Sequence, residues 1–163
     1  MTTLHPTCQA VEAVVIDHGL PGRIRMLPDA ATTAKAAAEQ LGCDVGAIAN
    51  SLIFAADPVA DDGGPFPILV MASGAHRVDV EKVSATVGAR LRRADPAFVR
   101  THTGQPIGGV APVGHPAPIR TVVDRDLARY PTLWTGGGIP HAVLPWSYSD
   151  LLRVTGGTEI DVV

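Results

Sequence analysis

Two glycine-rich segments carry the residue types best suited to chemistry in this sequence. Gly108-Gly109-Val110-Ala111-Pro112-Val113-Gly114-His115 is dense in glycine and proline. Glycine lets backbone approach a ligand closely, and successive N–H groups can form a concave site for an oxyanion or a carbonyl. An ordinary tight loop has the same composition, so the segment alone does not decide. Gly136-Gly137-Gly138 is a second such turn. Three adjacent glycines cost backbone entropy on ordering, which a plain surface turn does not require.

Other reactive side chains are scattered. The six histidines (His5, His18, His76, His102, His115, His141) show no HxxxH or HxH spacing, so no metal site is expected. His5 and His18 read as solvated or structural, and His102 as a packing residue. Cys8 and Cys43 lie far apart with no CxxC, which gives neither a zinc site nor a disulfide framework. Leu91-Arg92-Arg93, with Arg77, Lys82, Arg90 and Arg100, is the most basic stretch. Such runs are usually solvated faces, and the alternative here is a phosphate contact. Neither a GxSxG elbow nor a GxxxxGK[ST] loop is present, which argues against α/β-hydrolase and P-loop chemistry.

The elements that must position these loops can be read from caps and periodicity. Pro6 opens a helix in which Val11, Val14, Val15 and His18 share a face, and Gly19 ends it. Gly22–Leu27 reads as a short strand. Thr33–Leu41 is the clearest helix, with Ala34, Ala37, Ala38 and Leu41 at i, i+3, i+4 and i+7, a threonine at its start and Gly42 at its end. Asp44 caps one more turn, Val45–Ala49. Asn50–Ala56 and Phe66–Ala72 read as strands joined by a hairpin loop from Asp57 to Pro65. A helix follows over Val80–Val87, capped by Asp79 and stopped by Gly88, then a strand at Leu91–Ala94 and a helix from Asp95-Pro96 to near Gly104. Strands at Ile119–Asp124, Leu133–Thr135, His141–Trp146 and Thr158–Val162 are interleaved with helical segments at Arg125–Tyr130 and Ser149–Val154. Strands joined by both hairpins and helices predict a single α+β domain over residues 1–163, with one mixed, partly barrel-like sheet and helices packed around it.

Composition bounds the function. A chain of 163 residues suits one domain, and 46% hydrophobic against 18% charged residues predicts a folded one. Aromatic residues make up only 4%, too few for a base-stacking platform. The net charge of −3 argues against a grip on long duplex, so any RNA contact is expected to be small, such as a single-stranded end. The N-terminal MTTLHPTCQA lacks a basic region followed by an apolar run, and no apolar stretch is long enough to span a bilayer. A reduced cytoplasmic protein is expected, with no membrane partner.

Five segments, TTAKAAAEQLG, IANSLIF, GGVAPVGH, TGGGIPHAVL and SDLLRVTGG, follow one another in the order and spacing of the YbaK/prolyl-tRNA-synthetase-associated domain family. The resemblance runs from about Val11 to Val162. It implies a mixed-sheet α+β fold and hydrolysis of misacylated tRNA, often tRNA for proline carrying a small amino acid, without a cofactor. Its implied partners are the 3′ end of an aminoacyl-tRNA and an aminoacyl-tRNA synthetase. The family's Gly-x-x-x-Pro loop, which holds the aminoacyl ester and terminal ribose, matches Gly108, Gly109, Val110, Ala111 and Pro112. His141, after the turn containing Gly137 and Gly138, matches a histidine of the alanine-editing members. Ser51 and Thr135 match hydroxyl residues that line the pocket. One departure is Asn50, which stands where the family usually has lysine. A neutral amide replaces a full charge there, and charge-assisted hydrogen bonds are about twice as strong as neutral ones.

An aminoacyl ester is already activated, so its hydrolysis needs a positioned water and a place for the oxyanion rather than a protein nucleophile. Backbone N–H groups at Gly109–Ala111 are candidates for that place, worth a few kcal/mol in barrier terms. His141 is the candidate for positioning water or the ribose 2′-hydroxyl, and Asn50 for orienting the ester carbonyl or the amino group. Three readings stay open: a trans-editing deacylase, a binding module on the same fold that lost catalysis with the lysine, and a hydrolase of a small metabolite other than tRNA.

Overall fold

The computed structural model describes residues 3–58 and 63–163. Helix α1 (Pro6–Asp17) begins at the expected proline, and the His5 ring accepts the Thr7 N–H at 3.2 Å as its cap. Helices α2 (Ala34–Leu41), α3 (Val80–Val87), α4 (Pro96–Thr103) and α5 (Tyr148–Thr155) share one design. The side chains of Thr33, Asp79, Asp95 and Ser147 each accept a backbone N–H of the first turn, and Gly42, Gly88, Gly104 and Gly156 end the helices in the left-handed region.

The strands form two sheets rather than the one mixed sheet expected. The larger has the order β4 (Arg90–Arg93), β2 (Ala49–Asp57), β3 (Phe66–Ser73), β5 (Arg120–Asp124), β8 (Thr158–Ile160). Its β2–β3 and β2–β4 pairs are antiparallel, and β3–β5 and β5–β8 are parallel. The smaller is β1 (Arg25–Met26), β7 (Ala142–Trp146), β6 (Leu133–Gly136), all antiparallel. An isolated parallel bridge, Ile48 to Trp134, links the two, and neither sheet closes into a barrel. Residues 59–62 of the expected β2–β3 hairpin loop lie outside the described residues.

The strand expected over Gly22–Leu27 contracts to two paired residues, for a reason visible in its partner. Leu27 N–H donates to His141 O at 2.7 Å, so hydrogen-bonded pairs recur at Arg25–Val143 and would recur at Arg23–Pro145. Pro145 has no N–H to give, and the ladder stops.

Strand β3 is the spine of the core. Ile68, Val70 and Ala72 pack under α3 with Val83, Val87, Val122 and Ile160. Leu69 and Met71 face the other way, toward Val11, Val15, Leu133, Leu144 and Leu151. Burial on both faces explains why Phe66–Ala72 reads as a continuous apolar run rather than an alternation.

Candidate functional site

Strand β2 is only half covered along one edge. Strand β4 pairs with it from Phe54 to Asp57, while β6 approaches its start and pairs only through the isolated bridge between Ile48, just before β2, and Trp134. Between them a cavity of about 340 Å³ opens against the strand, a size suited to a small ligand. Seven consecutive residues, Ile48 to Phe54, line it. A cavity on a sheet face would meet every second residue, so this one lies along the strand edge.

Asn50, Ser51, Gly108, Val110 and Thr135 all line this cavity, so the strand, the Gly-x-x-x-Pro loop and the glycine turn converge on it. The opposite wall is the start of α2, with Thr32 and Thr33. A Cβ on Gly108, whose φ is +91°, would lie 3.5 Å from the Thr32 methyl, so the loop and the α2 entry almost meet. Trp134 forms a further wall, and its outer face carries the Arg25 guanidinium 5.7 Å from the ring centroid. The lining is otherwise apolar except for Arg93, the one charged side chain there, which takes part in no ion pair among the described residues. Its neighbour Arg92 is paired with Asp57 at 3.3 Å.

The remaining candidates lie just behind the wall. Gly109 faces the Ile139–Pro140 backbone so closely that no side chain fits, and its N–H donates to Pro106 O at 3.2 Å. Ala111 is fully buried, and its N–H donates to the Gln105 side-chain oxygen at 2.7 Å. Of the three amides expected to form an oxyanion site, Val110 N–H alone has no acceptor among the described residues. Pro112 is buried. Gly137 packs on Ile24 and Ala142, and Gly138 on Thr7, while Gly138 N–H donates to Gly109 O at 2.8 Å and so ties the two glycine loops together. His141 is exposed and outside the cavity lining, and its carbonyl serves the β1 ladder. The Thr135 hydroxyl donates to Gly136 O at 3.0 Å and accepts from the Trp146 indole at 2.9 Å, so it braces the wall.

Gln105 is the functional support that composition hides. It is 1% exposed, accepts from Ala111 N–H, and donates through Nε2 to Val113 O at 3.1 Å. Between Gly104 and Pro106 it reads as a turn residue, and only burial reveals it as the staple of the loop. His115 adds a second staple, its Nε2 lying 2.8 Å from Ala111 O, and burial pushes its pKa below the ordinary histidine value. His102 packs against Phe98 with the rings tilted at 50° and their centroids 4.4 Å apart.

A separate polar cluster lies off the cavity. His76 Nδ1 is 2.7 Å from Asp124 Oδ2, and its Nε2 is 3.0 Å from Asp126 Oδ2. These residues bring potential metal-ligand atoms within 4.8 Å of one another, which the absence of a histidine motif did not foretell. Each ring nitrogen is taken by a different carboxylate, so the arrangement clamps the ring between them. Asp124 also accepts the Ser73 N–H at 3.0 Å, and the Ser73 hydroxyl donates to Gly46 O at 2.8 Å. The cluster thereby anchors the turn Val45–Ala47, which delivers the chain into β2 and Asn50.

Comparison with known proteins places the chain beside aminoacyl-tRNA editing domains. A sequence model of the aminoacyl-tRNA editing domain matches residues 28–154. The uncharacterized protein YwhH of Bacillus subtilis is 30% identical over 119 residues, covering 73% of this chain and 72% of that one. A proline–tRNA ligase of Delftia acidovorans is 31% identical over 102 residues, which is 60% of this chain and 18% of that enzyme. Among solved structures, a candidate trans-editing enzyme for prolyl-tRNA synthetase superimposes with a TM-score of 0.87 at 37% identity, covering 98% of both chains.

Proposed function

The chain belongs to the aminoacyl-tRNA editing domain family, and on that premise we propose that it is a deacylase that hydrolyses the ester between an amino acid and the 3′-terminal ribose of a mischarged tRNA. The observation that carries the reading is the cavity along β2, where Asn50, Ser51, Gly108 and Val110 converge on a volume suited to an aminoacyl group. Similarity to a candidate trans-editing enzyme over nearly the whole of both chains favours action in trans on tRNA charged by a separate synthetase. The partial match to a proline–tRNA ligase favours tRNA for proline as the carrier.

In this reading the ester carbonyl lies near Val110 N–H, the loop amide without an internal acceptor, which stabilises the oxyanion as water adds. Asn50 offers its amide to orient the ester or the water. Arg93 meets the phosphate of the terminal nucleotide at the mouth. No side-chain nucleophile is required, because the ester leaves as a ribose hydroxyl and water is the acceptor. An amino acid too large for the apolar end of the cavity is excluded, which is how a second site corrects what a synthetase cannot distinguish. The test is a deacylation panel with purified protein and tRNAs mischarged with small amino acids. Release of at least one above the spontaneous rate supports the reading; release of none, with the protein folded, removes it.

A further inference from the structure

The hydrogen-bond alternation along β2 identifies which backbone groups face the cavity. Gly74 N–H donates to Ile48 O at 2.8 Å, which makes Ile48–Gly74 a hydrogen-bonded pair of the β2–β3 ladder. In an antiparallel pair such residues alternate, so 50, 52, 54 and 56 turn their N–H and C=O toward β3. The odd-numbered residues turn theirs the other way. There β4 pairs from Phe54 onward, and the single bridge at Ile48–Trp134 covers the start of the strand. Ser51 stands in the gap between them, with both its N–H and its C=O directed at the cavity and no strand paired with it on that edge.

From this we propose that Ser51 binds the aminoacyl group through its main chain, as it would bind the opposing residue of an antiparallel strand. An amino acid esterified to ribose presents an α-ammonium donor and a carbonyl acceptor across one Cα, the same pair of groups that a strand residue presents. The α-ammonium donates to Ser51 C=O, and the ester carbonyl accepts from Ser51 N–H, which gives a charge-assisted bond and a neutral one. Residues opposite each other in such a pair place their side chains on the same face. The bound side chain then lies on the face of Ser51 and Ile53, toward the cluster of Ala94, Val99 and Val110 against which Ile53 packs. The inference rests on the deacylase reading for its substrate, and it adds what that reading leaves open: a requirement for a free α-amino group.

The test uses the wild-type protein and three non-hydrolysable nucleosides: 3′-deoxy-3′-(L-alanylamino)adenosine, its N-acetyl form, and the propionylamino form that lacks the amino group. Binding is followed by calorimetry. The free amine is expected to bind at least tenfold more tightly than either of the others. Equal binding of all three, or binding of none up to millimolar concentration, would overturn the proposal. A second measurement compares Ser51→Ala with Ser51→Pro. The first removes the hydroxyl alone, and the second also removes the N–H, at an edge position where proline is tolerated. Ser51→Pro is expected to bind the alanylamino probe at least tenfold more weakly than Ser51→Ala, and equal affinity in two folded variants would count against the main-chain bond. The two readings fail separately. If no mischarged tRNA is hydrolysed but the amine is still preferred, the deacylase reading falls and the pairing stands. If N-acetylaminoacyl-tRNA is hydrolysed as fast as aminoacyl-tRNA, the pairing falls and the deacylase reading stands.

Discussion

Asn50 and Arg93 line one cavity, and in the proposed reading they would divide between them the tasks that one cation could perform. Asn50 gives the cavity a neutral donor and acceptor, and Arg93 gives it its one charge. For a deacylase of the proposed kind, Asn50→Lys should preserve or raise turnover on mischarged tRNA and steepen its salt dependence, because the new ammonium joins Arg93 against an anionic 3′ end. If asparagine instead holds a different substrate, the same change abolishes turnover, since an ammonium in a site fitted to an amide is poorly paired. Initial rates at two salt concentrations decide between these. At this scale the sequence was legible in which residues line the cavity, as at Ser51, Gly108 and Val110. Gly109 and Gly136 carry the same glycine-rich signature for another reason: with no side chain, they let two loops touch. Close backbone approach to protein and close approach to ligand leave the same mark in a sequence.

The loop Gly108–His115 has no regular structure, so side chains hold its shape. Gln105→Ala removes two bonds and leaves Ala111 N–H and Val113 C=O buried without partners, a loss of about 2–4 kcal/mol in unfolding free energy. Urea denaturation measures it, and a change below about 1 kcal/mol would show that the loop finds other partners. His115 makes the same loop sensitive to acid. Its folded-state pKa is lowered by burial, so the unfolded chain takes up the proton more readily. Stability is therefore full above the ordinary histidine value of about 6.5 and is lost as pH falls through it toward the folded value. The denaturation midpoint should drop between pH 7.5 and 5.5, and it should drop less in His115→Gln, which keeps a donor for Ala111 O. The helices were legible to within a residue or two because each carries its own cap and terminal glycine. The β1 ladder was not, since its end depends on Pro145, far along the chain from β1.

At the scale of the molecule, charge and shape point the same way. The chain carries a net charge of −3, and its cavity mouth offers a single unpaired guanidinium among the described residues. No helix among the described residues is long and apolar enough to cross a membrane. A tRNA held at its tip by one phosphate contact would lose only about threefold in affinity between 50 and 200 mM salt, from a slope of roughly 0.7 per phosphate on single strands. Binding titrations across that range check this, and a fall of a hundredfold or more would require a broad basic footprint. The fold class was legible because hairpins and helical crossovers alternate along the chain. The division into two sheets was not, because strand pairing between distant segments is set by packing rather than by local pattern.

That division bears on how the protein could change specificity. One side of the cavity is a strand of the larger sheet, and Trp134 and Thr135 on the other belong to the smaller, with the Ile48–Trp134 bridge as the backbone link between the two. The spacing of the two sides is therefore adjustable by residues that never meet the ligand. Substitutions in the apolar layer where the sheets pack, such as Leu133, Leu144 or Leu69, would widen or narrow the gap as a whole. If the cavity takes an amino acid as proposed, a lineage of such proteins could drift from one amino acid to another by repacking its interior while every residue on the cavity wall stays the same.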